Sequence, residues 1–394
     1  MFAERAPWGH RALFKVSRCP YGTSSAQSPS TAILGYFWGE SFSGTFGMAT
    51  ARISAYLPPD IDPTKAALAF GRRALPKLKE ELQCPELLTQ QRALMALCDL
   101  LHDPEKAYEA VALGFLDSLK TLLVHQDQTV RQKTTEALSV MALHSVGREG
   151  LIRSGVISAL AGLLDDPVDI CRKNTHQVFN MLAKLPEGAG GVLRAGLIPP
   201  LVLKLKTELD EIQELILDTL SNCLRVEVSE ALAAGALTVL KEKLSHPSAA
   251  IRNKAAWVLL EISSHAEGKV AVCEEGAIPA LVRLLEDTEP EVQVNSAGAL
   301  MFAIVTPQGR TSAMAAEAIP PLLALVAEET SKARLNAIKA LTLLAELPEG
   351  RSTLLEHRDT FQRCLHDPSE AVQRAAEIAI AVIDWKPFCS RDLS

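Results

Sequence analysis

The chain lacks the features from which membrane segments and nucleic-acid interfaces are built. Its 40 lysines and arginines are outnumbered by 47 aspartates and glutamates, which gives a net charge of −7. A phosphate backbone requires a basic face, so this balance argues against a nucleic-acid partner. There is no run of eighteen apolar residues and no secretory signal. We therefore expect an intracellular protein of the cytoplasm that has no membrane partner.

Motifs for chemistry are equally scarce. The eight cysteines include no C-x-x-C pair, and none of the nine histidines stands in an H-E-x-x-H arrangement, so we predict no metal site. The glycine-rich stretch at 188–191 lacks the lysine and the preceding strand of a phosphate-binding loop, so we predict no cofactor and no small-molecule substrate. Four cysteines fall inside predicted helices, where a reduced thiol is a small apolar filler: Cys98, Cys171, Cys223 and Cys273.

Two His-Asp-Pro triplets begin at His102 and His366. A pair of catalytic sites is one interpretation. We favour turns between helices, because aspartate can cap a helix and proline can begin one. The sequence therefore predicts no catalytic residue and no enzyme.

A glycine followed by apolar residues, often Ile-Pro, recurs along the chain at steps of 41, 41, 39, 41 and 41 residues. A period of about 40 residues is typical of helical solenoids, whose units bury their apolar faces only by stacking on one another. The last member of the series is a glutamate: Gly114, Gly155, Gly196, Gly235, Gly276 and Glu317.

A basic or amide residue follows each of these positions by about sixteen residues and opens a predicted helix. The ladder could bind anions, or each arginine could bind carbonyl groups at a neighbouring helix end, which we favour. Arg92 and Gln373 continue the ladder 39 residues before and after it. Its central members are Arg131, Arg172, Gln213, Arg252, Gln293 and Arg334.

The third recurring signal is Pro-x-Gly, which begins at Pro186, Pro307 and Pro348, with Gly147 and Gly268 at equivalent steps. Proline cannot continue a helix and glycine tolerates a left-handed helix end, so we interpret each pair as a break between units. Each unit then has a short first helix, a second helix after the recurring glycine, and a longer third helix. This pattern resembles the armadillo repeat and predicts an all-α, right-handed armadillo (ARM/HEAT-like) solenoid.

We predict about eight units between residues 63 and 385, with irregular first and last units and a short tail at 386–394. Residues 48–62 are proline-rich and are expected to form an extended arm. Residues 1–47 hold nine of the nineteen aromatics and show no repeat register. Four basic residues there could belong to an organelle-targeting leader, but we favour an N-terminal extension without a fold of its own.

Two positions of the third helix predict what the groove between units could bind. Armadillo proteins that carry nuclear-import signals repeat a tryptophan five residues after the helix-opening position and an asparagine nine after it. In this chain only Trp257 and Asn222 occupy these positions, and they lie in different units. An extended basic peptide would therefore lack the tryptophan and asparagine side chains that bind it in import carriers. An apolar row stands instead, which favours a packed protein partner unless it covers the groove floor: Val140, Met181, Phe302, Leu343 and Val382.

Gly298 occupies the position where import carriers have tryptophan. A glycine within a helix costs about 1 kcal/mol relative to alanine, so it should have a packing reason. We predict a depression at Gly298, bordered by Phe302 and Trp257, that holds an apolar side chain of a partner. The predicted protein-binding residues are Val140, Met181, Trp257, Gly298, Phe302 and Leu343.

Several stretches resemble the radial spoke head fourteen homologues, a family of vertebrate armadillo-repeat proteins also described as rhabdoid tumour deletion region proteins. The resemblance covers roughly residues 48–387. It implies a non-enzymatic component of the radial spoke in the axoneme of motile cilia and flagella, with other spoke proteins as partners. The alternative is a soluble transport or signalling adaptor that binds a peptide in its groove. The stretches that carry the resemblance are ARIS at 51–54, PPDIDPTK at 58–65, RALMALCDL at 92–100, ARLNAIKAL at 333–341 and HDPSEAVQRAA at 366–376.

Overall fold

The computed structural model describes residues 71–385, and all regular structure in this part of the chain is helical. The extension 1–47, the arm 48–62, the first residues of the predicted array at 63–70 and the tail 386–394 lie outside the described residues. Within 71–385 the helices follow a three-helix repeat, as predicted, and eight long helices mark its successive units. We number these units 1 to 8; the described part of unit 1 holds only a second and a third helix.

The first helices are mostly two and a half turns long and often begin with proline. They are α3 (Pro104–Ala112), α6 (Ser145–Arg153), α9 (Pro186–Arg194), α12 (Ser229–Ala233), α15 (Ala266–Glu274), α18 (Pro307–Ala315) and α21 (Pro348–Glu356). The second helices are α1 (Ala74–Leu82), α4 (Phe115–Leu122), α7 (Val156–Ala161), α10 (Ile198–Lys204), α13 (Ala236–Lys243), α16 (Ile278–Arg283), α19 (Ile319–Leu325) and α22 (Arg358–Cys364).

The third helices are the longest and pack side by side, each on the third helix of the next unit. They are α2 (Leu87–Leu101), α5 (Gln128–Leu143), α8 (Asp169–Ala183), α11 (Asp210–Leu224), α14 (Ala249–Ser264), α17 (Pro290–Ala303), α20 (Ser331–Leu344) and α23 (Glu370–Ile383). Short 3-10 turns lie at Gly71–Arg73 and Leu284–Glu286.

Small side chains in the third helices explain how closely these helices pack. Ala297, Ala299 and Ala303 are completely buried in α17, which packs against both α14 and α20. Alanine brings little volume and no side-chain entropy cost, so it fits where two helix backbones approach. Leucines such as Leu300 fill the remaining space, and the buried side chains form one continuous core through all eight units.

The glycines that open the second helices adopt the left-handed conformation, as at Gly155 (φ 70°) and Gly276 (φ 70°). An L-residue with a side chain pays roughly 1–2 kcal/mol there, which is why glycine recurs at this step. Glu317 stands at the equivalent place with φ 55° and is the sole non-glycine residue with positive φ among residues 71–385. The seventh unit therefore carries a local backbone strain that units 2 to 6 lack.

The Pro-x-Gly glycines have a different role from the one predicted. Gly188 and Gly268 lie inside first helices with ordinary helical φ, so they do not form left-handed helix ends. A Cβ atom on Gly188 would lie 2.0 Å from the carbonyl oxygen of Leu182, and one on Gly268 would lie 1.9 Å from that of Ile262. Glycine is required here because the first helix crosses directly over the end of the preceding third helix.

The arginine ladder binds helix-end carbonyls, which confirms the structural interpretation. Arg252 Nη1 donates to the carbonyl oxygens of His246 and Pro247, each at 2.9 Å. Where glutamine replaces arginine, its amide donates in the same way, as Gln293 Nε2 does to the carbonyl oxygen of Asp287 at 2.7 Å. These carbonyls lie in the turn before the third helix, so each contact fixes the angle between that turn and its helix.

The same arginines also bind a carboxylate of the following unit, which the sequence interpretation did not foresee. Arg252 Nε and Nη2 donate to the two oxygens of Asp287 at 2.7 and 2.9 Å. We call this bidentate contact between neighbouring units the clamp. Four boundaries between units have one: Arg131–Asp166, Arg172–Glu208, Arg252–Asp287 and Arg334–Asp367.

Unit 1 follows a slightly different register from the predicted one. Gln91, not Arg92, is buried and donates from Nε2 to Asp127 Oδ1 at 3.0 Å, the contact that the arginines make at later boundaries. Arg92 is exposed. The spacing from Gln91 to Arg131 is therefore 40 residues, one more than the predicted step.

The helix cysteines are buried fillers, as predicted. Desolvation raises the pKa of Cys171 and Cys223 to about 12, which keeps both thiols protonated at neutral pH. Desolvation also lowers the pKa of the fully buried His176 to about 3, so this imidazole is neutral in the folded protein.

The outward face of the last long helix differs from that of its predecessors. Ile338 in α20 and Ala345 just after it are buried, but the residues 39 positions later are the exposed Glu377 in α23 and Asp384 just after it. Charged groups on this face suit contact with water, as the end of a stacked array requires.

Replacing Arg252 with alanine tests the clamp. The substitution leaves the largely covered Asp287 carboxylate without its cation, so we expect the free energy of unfolding to fall by about 2–3 kcal/mol in urea denaturation at pH 7. The guanidinium lowers the pKa of Asp287, so the contribution is present above the unfolded value of about 3.8 and is lost as pH falls through the lower folded value. The deficit should therefore shrink in acid. Arg153→Ala removes an exposed contact to Glu149 and serves as the control, with a change below about 1 kcal/mol.

Candidate protein-binding groove

The exposed sides of the eight third helices together form one surface, which we call the groove face. Solenoid curvature makes such a row of helices the usual site of partner binding. In its middle the groove face is already occupied by polar contacts between units. Lys254 Nζ donates to Asp218 Oδ2 at 2.9 Å and lies 3.3 Å from Glu214 Oε2, and Asn180 Nδ2 lies 3.4 Å from Asp218 Oδ2.

Trp257 takes part in this polar network and does not border a depression. Its Nε1 donates to Glu261 Oε1 at 2.8 Å, and the guanidinium of Arg225 lies 5.7 Å from the ring centroid. Arg225 Nε donates to the same Glu261 oxygen at 2.9 Å. The indole, which is 37% exposed, is thus held on the surface by an acid and a cation.

The predicted depression at Gly298 is wrong, because the space beside this glycine is filled. A Cβ atom there would lie 2.5 Å from Leu260 Cδ1 and 3.1 Å from Asn336 Nδ2. Gly298 is buried, and its packing reason is the close approach of α14 and α20 from either side of α17. It allows the helices to pack and has no surface that a partner could reach.

Two other predicted residues also differ from the expectation of an exposed row. Val140 is only 7% exposed and belongs to the continuous core, so it is not available to a partner. Met181 is half-buried and packs against the core. In units 2 and 3 the apolar row therefore covers the floor of the groove, which was the alternative interpretation, and does not form an exposed binding surface.

Phe302 and Leu343 are the predicted residues that the structure brings together. They line a pocket of about 520 Å³ between α17, α20 and α23, in units 6 to 8. A volume of this size is typical of binding pockets, which are usually lined by apolar side chains. The sequence interpretation missed six apolar members of the same pocket, among them Val305, Leu335 and Ile378.

One of these missed residues, Ile378, continues the fifth register position into unit 8, whereas Leu335 lies outside both register positions. Leu335 lies one residue after the helix-opening Arg334, and Ile378 lies five residues after Gln373. Ile378 is 59% exposed, and it lies beside the other apolar side chains of the pocket. The register, extended to unit 8, could therefore have found Ile378, whereas Leu335 is recognised only from the structure.

The two charged side chains that line the pocket have the same sign. Lys339 and Arg374 line it, and no carboxylate is among its lining residues. Lys269 Nζ lies 5.8 Å from the centroid of the Phe302 ring, over its face. The pocket is therefore apolar inside and basic at its edge.

The remaining absences can be stated for residues 71–385. No group of three histidine, cysteine, aspartate or glutamate side chains in this range is placed to hold a metal ion, and no helix there has the length and apolarity to cross a bilayer. The two His-Asp-Pro triplets lie in turns, as predicted. Asp103 caps α3 by accepting from the amide of Glu105, whereas Asp367 belongs to the clamp with Arg334.

Substitution of Gly298 with tryptophan tests the filled space. We expect the free energy of unfolding in urea to fall by about 3 kcal/mol, because even the first side-chain atom meets Leu260. Lys339→Trp places the same side chain at the same register position one unit later, where it is exposed, and should change stability by less than about 0.5 kcal/mol. A Gly298→Trp variant as stable as the wild type would restore the depression that the sequence predicted.

Comparison with known proteins agrees with this architecture. The family model described as Armadillo/beta-catenin-like repeat matches residues 265–300, which run from the start of unit 6 into α17. Radial spoke protein 14 of Chlamydomonas reinhardtii is 28% identical over 103 residues. That match covers 26% of this chain and 27% of the relative's length.

Solved structures show the same fold over a longer range. An engineered protein of 24% identity superposes with a TM-score of 0.74 over 79% of this chain and 78% of its own. A designed armadillo-repeat protein in complex with the peptide (KR)4 is 27% identical, with a TM-score of 0.55 over 58% of this chain and 99% of its own. The chain therefore has the fold of an armadillo-repeat solenoid.

Proposed function

We propose that the chain is a non-enzymatic structural adaptor of the radial spoke in the ciliary or flagellar axoneme. In this role it binds other spoke proteins through the groove face. The observation that carries the proposal is the similarity to Radial spoke protein 14 over 103 residues. The armadillo fold supports a role in protein binding, because its stacked units offer a long surface and no enclosed active site.

The shape of the groove face also favours a protein partner. Its polar middle is held by contacts between units, so that part is rigid before a partner arrives. Its apolar pocket in units 6 to 8 offers the kind of surface that a partner's side chain covers in a stable complex. A rigid face with one apolar anchor point suits a structural adaptor.

Fractionation of isolated cilia tests the proposal. A tagged copy of the full chain is produced in ciliated cells, and cilia are extracted first with detergent and then with high salt. We expect the chain to stay with the axoneme through detergent and to leave it in salt together with radial spoke complexes, as followed by sucrose-gradient sedimentation and mass spectrometry. A soluble fluorescent protein in the same cilia reports complete release of the matrix.

The alternative function, a soluble transport or signalling adaptor, gives a different result. Such an adaptor would leave with the detergent-soluble matrix and sediment apart from spoke proteins. That outcome would contradict the spoke proposal. Retention on the axoneme without co-sedimentation with spoke proteins would contradict it as well.

A further inference from the structure

The pocket between α17, α20 and α23 has a chemistry that selects one kind of partner. Its interior side chains are apolar, and the polar side chains that line it are Lys339, Thr342 and Arg374. The Thr342 hydroxyl already donates to the carbonyl oxygen of Ile338 at 2.7 Å, within its own helix. The lining therefore offers two cations and no side-chain amide.

This lining disfavours an extended peptide. The N–H groups of an extended backbone need acceptors when they are buried, and lysine and arginine are donors only. A helix satisfies its own backbone groups and presents only side chains. An amphipathic helix can place apolar residues at i, i+3, i+4 and i+7 into an apolar groove of this kind.

The charges at the edge of the pocket specify the flanks of such a helix. Lys339 is exposed and forms no ion pair within residues 71–385. Arg374 has one exposed contact, to Glu370 at 3.6 Å, which contributes little in water. Carboxylates beside the apolar face of a partner helix would meet both cations, whereas a basic helix would be repelled.

Segments of this chain outside the described residues do not fit these charges. Residues 1–70 carry six basic and four acidic residues, and residues 386–394 carry two basic residues and one acidic residue. Neither segment has the excess of carboxylates that the pocket edge calls for. The occupant is therefore sought in another protein.

We infer that the pocket of units 6 to 8 is a docking site for an acidic amphipathic helix of a partner protein. Apolar side chains of that helix fill the space beside Phe302, Leu343 and Ile378, and its carboxylates pair with Lys339 and Arg374. The inference rests on the part of the proposed function that assigns protein binding to the groove face. It does not depend on the axonemal location.

A synthetic peptide tests the site directly. The probe is a fluorescent peptide of about 15 residues with leucine and phenylalanine at helical spacing and glutamate beside them. Its control has lysine in place of every glutamate. Binding to the full chain is measured by fluorescence anisotropy at low and at high salt. We expect the glutamate peptide to bind at least about tenfold more tightly than the lysine peptide, and its affinity to fall as salt rises.

Matched variants locate the binding. Ile378→Ser removes an exposed apolar anchor and should weaken the glutamate peptide about tenfold. The double variant Lys339→Glu with Arg374→Glu should weaken it by a similar factor and improve binding of the lysine peptide. Val124→Ser is the apolar control, since Val124 is 81% exposed and lies far along the chain, and Arg153→Glu is the charge control.

Three outcomes would overturn the inference. They are no binding of the glutamate peptide, equal binding of the two peptides, and binding that Ile378→Ser and the double charge reversal leave unchanged. A second copy of the chain is the other possible occupant, and sedimentation of the full chain tests it. Self-association that is lost in Ile378→Ser, together with no binding of the glutamate peptide, would also overturn the inference. Failure of the peptide to bind leaves the cilia fractionation unaffected, so the two proposals fail separately.

Discussion

The bidentate contact between an arginine of one unit and a carboxylate of the next connects the turn within one unit to the packing of neighbouring units in this solenoid. In the clamp at units 7 and 8, Arg334 Nε and Nη2 bind the two oxygens of Asp367 at 2.6 and 2.9 Å, while Nη1 binds the carbonyl oxygens of Glu328 and Glu329. One guanidinium thus joins the turn before α20 to the turn before α23. A planar fork of donors matches a carboxylate in one orientation only, so the contact fixes both spacing and angle.

This geometry has consequences for the pocket. Two of the pocket walls, α20 and α23, are the helices that the Arg334–Asp367 clamp holds in place. Leu335 and Arg374 each lie one residue beyond a residue that fixes a turn, Arg334 or Gln373. Neither clamp residue lines the pocket, yet the clamp holds two of its walls together.

Glycine and alanine allow the spacing that the clamps fix. The first helices cross the ends of the third helices so closely that any Cβ at Gly188 or Gly268 would meet a carbonyl oxygen. Gly298 serves the same purpose between third helices. Small residues thus determine where helices touch, and the clamps determine how they are oriented.

The repeat and the three-helix unit could be predicted from the sequence, because their markers recur at a nearly constant step of about 40 residues. The arginine–carbonyl contacts could be predicted because each arginine lies only five or six residues after its acceptors. The acceptors of the clamps could have been found too, since an acid follows each of these arginines by 33 to 36 residues. The site was harder to predict. Val140 and Phe302 share a register position, but one is buried and the other lines a pocket, because the neighbouring helices bring different side chains. The prediction of a depression at Gly298 was wrong for the same reason, since Leu260 on another helix fills that space.

Hydrogen exchange of an Arg334→Ala variant, followed by mass spectrometry on the full chain, tests the central claim most directly. If the clamp holds unit 8 on unit 7, the amides of α23 should exchange about a hundredfold faster than in the wild type, as expected for loss of about 3 kcal/mol of local stability. The amides of α5, far from the change, should keep their protection. Unchanged protection of α23 in this variant would show that apolar packing alone positions the last unit and would contradict the account.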